Sequence, residues 1–283
     1  MRRLLPLLAV CALLLTACAE ESQPDPIPLS VPEWPTTPYV SPTPTQTATP
    51  APTQTGRAVV VDNPLYDAPR AEASCRIREI RVGNWQSMKG YLNSVSSCLD
   101  RVWSREFKRM GLPFSPPRRI WVRHRVRDGG CGKVPDKGDV GLYCSATKTY
   151  YVLIARADLD PWAAAWTARA IAHEYGDHVQ TLVGIMDYEI DTAALATTSK
   201  GEDLVTRRLE LQAECLAGVA LRAMRRGMPT WRRFQGIFDG ADLDRWVRDH
   251  GRPRTRLRWL EKGFHSGKPG VCDTWSPPAR DVT

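Results

Sequence analysis

The chain has 283 residues, 42% of them apolar and 25% charged, with a formal charge of +8. That charge falls to +6 once Arg2 and Arg3 leave with an export signal, and it is scattered in pairs such as Arg207-Arg208, Arg225-Arg226 and Arg232-Arg233. A solvated basic surface facing anionic lipid or wall polymer fits this pattern; no reading motif accompanies the charge, which excludes a nucleic-acid partner.

Residues 1–17 carry two arginines and then an apolar run shorter than the ~20 residues needed to cross a bilayer. Small residues follow up to Cys18, the layout of a cleaved export signal. Leu15-Thr16-Ala17-Cys18 resembles the bacterial lipobox, so Cys18 is expected to be lipidated and to hold the chain on the outward, extracytoplasmic face of the cell membrane. Residues 18–58 are rich in proline and threonine and read as a semi-rigid tether. At roughly 3.1 Å per residue, this tether reaches up to about 100 Å from the membrane.

Residues 59–283 are long enough for one domain with its own core, and no internal repeat is visible. With Cys11 lost and Cys18 lipidated, six of the eight cysteines remain, an even number outside the cytoplasm, which points to disulfides. Proximity favours Cys75–Cys98 and Cys131–Cys144, leaving Cys215–Cys272 as one of about fifteen possible connectivities. No CxxC pair suggests a zinc-cysteine site.

Between Asn84 and Met110, apolar residues recur every three to four positions and stop at Gly111 and Pro113, which predicts a core-facing helix. Arg119–Val126 alternates and Thr149–Ile154 is β-prone, so both are expected to be strands flanking the Cys131–Cys144 loop. His124, on the polar face of the first, reads as a solvated histidine. Asp160-Pro161 supplies an N-cap and a first-position proline for a helix running to about Gly184. A second helix is expected from a capping box at Ser199 to Glu202 and on to Gly227.

The first of these two helices contains His173-Glu174-Tyr175-Gly176-Asp177-His178, which is HExxH altered by one letter. HExxH works because i and i+4 share a helix face, so two imidazoles can hold one Zn²⁺ while the Glu reaches the attacking water. Here the i+4 position is Asp177, and His178 lies about 100° further round. The second helix carries Glu210 and Glu214, again i and i+4. They read either as a solvated acidic face, or as a third ligand plus an outer carboxylate that orients a ligating histidine.

HEYGDHVQ at 173–180 and ELQAECLAG at 210–218 resemble the HEYGHHVQ and ELQADCxAG motifs of a bacterial neutral zinc metallopeptidase family. Further similarities are Cys131-Gly132, Gly141-Leu-Tyr-Cys144 and Tyr151, then His250-Gly251, Arg256-Leu-Arg-Trp259, Gly263-Phe264, Ser266-Gly267 and Cys272-Asp-Thr-Trp275. The resemblance implies a zincin-like α+β domain, disulfide-stapled, with two long active-site helices and a small sheet, acting on peptide or protein substrates with one zinc ion. It implies that His173, Asp177 and Glu210 are the metal ligands, Glu174 the general base and Glu214 the orienting carboxylate; His250, a loop histidine beside a family motif, is a candidate support for the oxyanion. Tyr175 reads as packing. Zinc accepts an aspartate oxygen, yet the added negative charge weakens its Lewis acidity. Two readings therefore stay open, a zinc peptidase and a catalytically impaired relative acting as a cell-surface binding module.

Overall fold

In the computed structural model, which describes residues 54–136, 139–239 and 246–283, the apolar period after Asn84 forms a 25-residue helix, Trp85–Arg109 (α2). The Asn84 side chain accepts from Ser87 N at 2.8 Å, and Lys108 and Arg109 complement the dipole in the last turn. A one-turn helix, Ala58–Val61 (α1), precedes it. The expected export signal, the expected lipidation at Cys18 and the expected tether up to residue 53 lie outside the described residues; those described below belong to one compact unit.

Five short strands follow: Arg118–Val122 (β1), Val126–Asp128 (β2), Gly132–Val134 (β3), Gly141–Cys144 (β4) and Thr149–Leu153 (β5). β5 is the centre of a three-stranded sheet, parallel to β1 (Ile120 opposite Tyr151) and antiparallel to β4 (Tyr143 opposite Tyr150). β2 and β3 form a separate antiparallel hairpin. The expected single strand over 119–126 is thus corrected: Arg125 turns its guanidinium to the carbonyls of Pro135 (2.6 Å) and Lys133 (3.1 Å), and the bend this holds splits the segment between two sheets. His124 sits exposed on that bend.

Asp160 caps a 3-10 turn at Pro161–Ala163 that leads into Ala164–Leu182 (α3). Gly184, at φ 79°, redirects the chain into Ile185–Ala194 (α4). The next helix, Ser199–Ala223 (α5), is capped one residue earlier than expected. Thr198 is extended (φ −142°, ψ 146°) and its hydroxyl accepts from Gly201 N at 3.1 Å, whereas Ser199 is already helical. Short helices Trp231–Gln235 (α6) and Val247–His250 (α7) lead to Pro253–Ser266 (α8).

The result is a helix-rich α+β fold in which α3 and α5 form the centre. α2 and the sheet cover α3 on one side: Tyr91 OH donates to Ala164 O (2.7 Å), and Tyr175 OH donates to Asp100 Oδ1 (2.8 Å). Trp103, Phe107, Tyr150, Ile171, Tyr175 and Leu216 are fully buried between them. α5 is gripped on both flanks by backbone. A Cβ on Gly176 of α3 would lie 2.9 Å from Ala213 O, while one on Gly218 would strike Leu260 O, and one on Gly263 would strike Cys215 O. Only glycine permits these approaches.

Disulfides join Cys75–Cys98, Cys131–Cys144 and Cys215–Cys272, with Cα separations of 5.8, 5.9 and 5.5 Å. No helix among the described residues is long and apolar enough to cross a membrane.

Candidate metal centre

His173, Glu174 and Asp177 occupy the middle of α3 and are 7%, 8% and 7% exposed. All three line a cavity of about 850 Å³ bounded by α3, β4, α4, α5 and α7, whose wall also carries Trp162, Trp166, Met186, Ile237 and Arg256. The opposite face of α3 packs on core and sheet, so the helix that carries these groups is buried almost all round. A polar strip inside such a helix is costly unless each group meets a partner.

The partners come chiefly from α5. Close packing of Gly176 on Ala213 brings Glu210 to His173, with His173 Nε2 3.0 Å from Glu210 Oε2. One turn further along α5, Glu214 Oε2 lies 3.4 Å from His173 Nδ1, an ion-pair distance without a full hydrogen bond. Arg169, one turn before His173, forks onto Glu214, its Nε donating to Oε1 at 2.8 Å and its terminal nitrogen meeting Oε2. Of the five histidines, a second one enters this group. His250, the last residue of α7, places Nε2 3.2 Å from Glu210 Oε2 and Nδ1 2.9 Å from Asp249 Oδ1. Its ring stacks on that of His173 with centroids 6.2 Å apart and planes within 13°. The donor atoms of His173, Glu210 and His250 all lie within 4.8 Å of one another.

Asp177 faces the same cavity without joining that convergence, and its Oδ1 is buried with no hydrogen-bond partner. His178 is turned away. Its Nδ1 meets Tyr143 OH at 2.9 Å and its Nε2 meets Ser115 O at 2.7 Å, so both ring nitrogens are engaged. Tyr175 packs against Tyr150 and α2, remote from the cavity.

The electrostatics follow from burial and crowding. Burial pushes His173 down to about 4, which keeps the imidazole neutral and able to donate a lone pair. Burial alone would raise Glu210, but the charge of His250 and the hydrogen bond from His173 outweigh it and hold the carboxylate at about 2. Glu174 and Asp177 are pushed well upward, first by burial and then by the negative charge of Glu210. Carboxylates crowded in this way are the setting that a divalent cation relieves.

Residues 65–233 match the sequence model of the family described as Putative neutral zinc metallopeptidase. The chain belongs to that family. It is 27% identical over 214 residues to Uncharacterized protein YpfJ of Escherichia coli, covering 65% of this chain and 70% of the relative. It is 29% identical over 184 residues to Uncharacterized protein Mb2605 of Mycobacterium bovis, covering 52% and 58%. No solved structure matches it.

Membership suggests zinc, and the donor set fits such an ion. Two imidazole nitrogens and one carboxylate oxygen are a known catalytic zinc set, and bonds of about 2.0–2.1 Å in a tetrahedron separate neighbouring donors by roughly 3.3 Å. The observed 3.0 and 3.2 Å lie close to that spacing.

Sequence reasoning missed Arg169, Asp249 and Trp246. Arg169 carried a signal, since it lies four residues before His173 and therefore on the same helix face. Asp249 and Trp246, whose indole donates to Asp139 at 2.9 Å, carried none, because their place depends on how α7 meets α5.

Proposed function

We propose that this metallopeptidase family member is an active zinc-dependent peptidase of zincin-like architecture, exported and held at the outer face of the cell membrane by a lipid on Cys18. The observation that carries the catalytic part is the 3.0 Å approach of His173 Nε2 to Glu210 Oε2, from two different helices, with Glu174 next in sequence facing the same cavity. His173 and Glu210 would hold the ion, and Glu214, fixed by Arg169, would steady His173 through Nδ1.

Bound zinc supplies Lewis acidity toward a peptide carbonyl and lowers the pKa of water. The remaining work falls to side chains. Glu174 takes the proton of the attacking water and returns it to the leaving amine. Trp162, Trp166, Met186 and Ile237 offer an apolar wall that seats substrate side chains and excludes bulk water. Crowding that raises Glu174 in the free protein is eased when a cation sits among the carboxylates, which favours the ionised form that a base needs.

The test is metal analysis and peptide hydrolysis with the natural chain and Glu174→Gln. Both should bind about one zinc, and Glu174→Gln should lose turnover by about 10²–10⁴-fold, the worth of a general base. Zinc binding without hydrolysis in either protein would favour the binding-module reading. Lack of zinc in the natural chain would refute the peptidase. For the anchor, Cys18→Ser should release the protein from membranes or block its processing, and unchanged retention would remove that part.

A further inference from the structure

We infer that the imidazole missing at position 177 is supplied by His250, so that this chain holds its metal with His173, Glu210 and His250 and leaves Asp177 as a wall of the cleft. The inference rests on the metallopeptidase reading and names the ligand set that the altered motif leaves open.

Convergence is the first argument. Both Nε2 atoms point at a single oxygen, Glu210 Oε2, from 3.0 and 3.2 Å. Two imidazoles that share one acceptor atom and stack at 13° are positioned as neighbouring ligands of one ion rather than as solvated side chains.

Orientation is the second. Each ring presents Nε2 to the centre while a carboxylate stands at Nδ1, Glu214 for His173 and Asp249 for His250. A metal-ligating histidine almost always donates its other N–H to such a group, which fixes both tautomer and ring plane. A histidine acting only on a substrate oxyanion has no need to face Glu210.

Elimination is the third. His178 has both nitrogens engaged elsewhere, His124 is exposed on the bend after β1, and His265 pairs with Glu261 at 3.4 Å on α8. His250 is therefore the histidine that can join His173. The chain also fixes it in place. Arg207 of α5 donates through Nε to Arg248 O at 3.0 Å, clipping α7 one turn of helix away from Glu210, and Gly251, at φ 82°, then turns the chain into α8. Asp177 is on α3 beside the cavity, yet its donor atoms fall outside the group of three.

The decisive measurement uses the unaltered full chain loaded with one zinc: X-ray absorption at the zinc edge should count two imidazoles. One imidazole would overturn the inference, because His173 and Asp177 with Glu210 offer one. The second measurement is zinc affinity by chelator competition for His250→Ala and Asp177→Ala. Removing a residue that merely steadies a ligand costs about 10–100-fold in affinity, so loss of a ligand should exceed about 100-fold. His250→Ala is expected to weaken binding by at least that much, and Asp177→Ala by less than about 10-fold on the same scale. The reverse order would overturn the assignment while leaving the peptidase standing. A natural chain that takes up no zinc would overturn both together.

Discussion

Gly141→Ala is expected to disable the base without unfolding the protein or emptying the site. Gly141 opens β4, the edge strand against α3, and its φ is not in the left-handed region, so alanine fits the backbone. A Cβ there would overlap Glu174 Oε1 and stand 3.0 Å from Cδ and 3.1 Å from Cγ. Unstrained carbon pairs sit about 3.5–4.0 Å apart, so the carboxylate must retreat by roughly 0.5–1 Å. The retreat is cheap for folding, because the crowded atoms are the far end of one side chain. It is not cheap for catalysis. A displacement near 1 Å at a reacting group costs about 10²-fold, or about 2.7 kcal/mol of barrier, and half that displacement is expected to cost about tenfold. The assay is steady-state hydrolysis of a fluorogenic peptide beside zinc stoichiometry and thermal melting. We expect kcat to fall 10–100-fold with zinc content unchanged and Tm within a few degrees. Unchanged kcat would refute the role given to Glu174, and lost zinc would show that β4 shapes the ligands rather than the base.

Arg169→Met leaves Glu214, 1% exposed, without its fork; breaking a buried ion pair from one side costs about 3–5 kcal/mol, and at about 2–4 °C per kcal/mol the melt should drop by roughly 10 °C. A drop under about 2 °C would mean that Glu214 is not held as an anion. Asp128, which accepts from Tyr151 OH (2.5 Å), Gly130 N, Cys131 N and Thr147 Oγ1, is lowered from 3.8 to about 2, with the Tyr151 bond the largest cause. Its folded value lies below its unfolded one, so the stability it adds is present above pH 4 and lost as pH falls through about 2. Urea titrations should show that loss between pH 4 and 2, and Asp128→Asn should flatten it; an identical slope in both proteins would remove Asp128 as the cause.

The helices were legible because each carries its own period and punctuation. Asn84 and Gly111 bracket α2, and Asp160-Pro161 starts the turn into α3, all local chemistry. The split after β1 was not legible, since it depends on Arg125 reaching carbonyls eight and ten residues away. The same limit governs the site. His173, Glu174, Glu210 and Glu214 could be singled out from spacing on two helices, but that α3 faces α5 through Gly176 and Ala213 is a tertiary fact. His250 was visible only as part of a resemblance. Its place opposite Glu210 is set by Arg207 holding the Arg248 carbonyl, which no periodicity encodes.

The glycine contacts that grip α5 have a consequence for how such a protein changes over generations. Gly176, Gly218 and Gly263 set the separation of α3, α5 and α8 by backbone against backbone, so that separation does not depend on which side chains fill the space between. A frame of this kind tolerates a change of tenant. A residue at position 177 can be exchanged without the helices moving apart, while another from a neighbouring segment already stands within reach. Mutation at the glycines has no such latitude, and lineages that alter the motif letters are expected to keep those three positions.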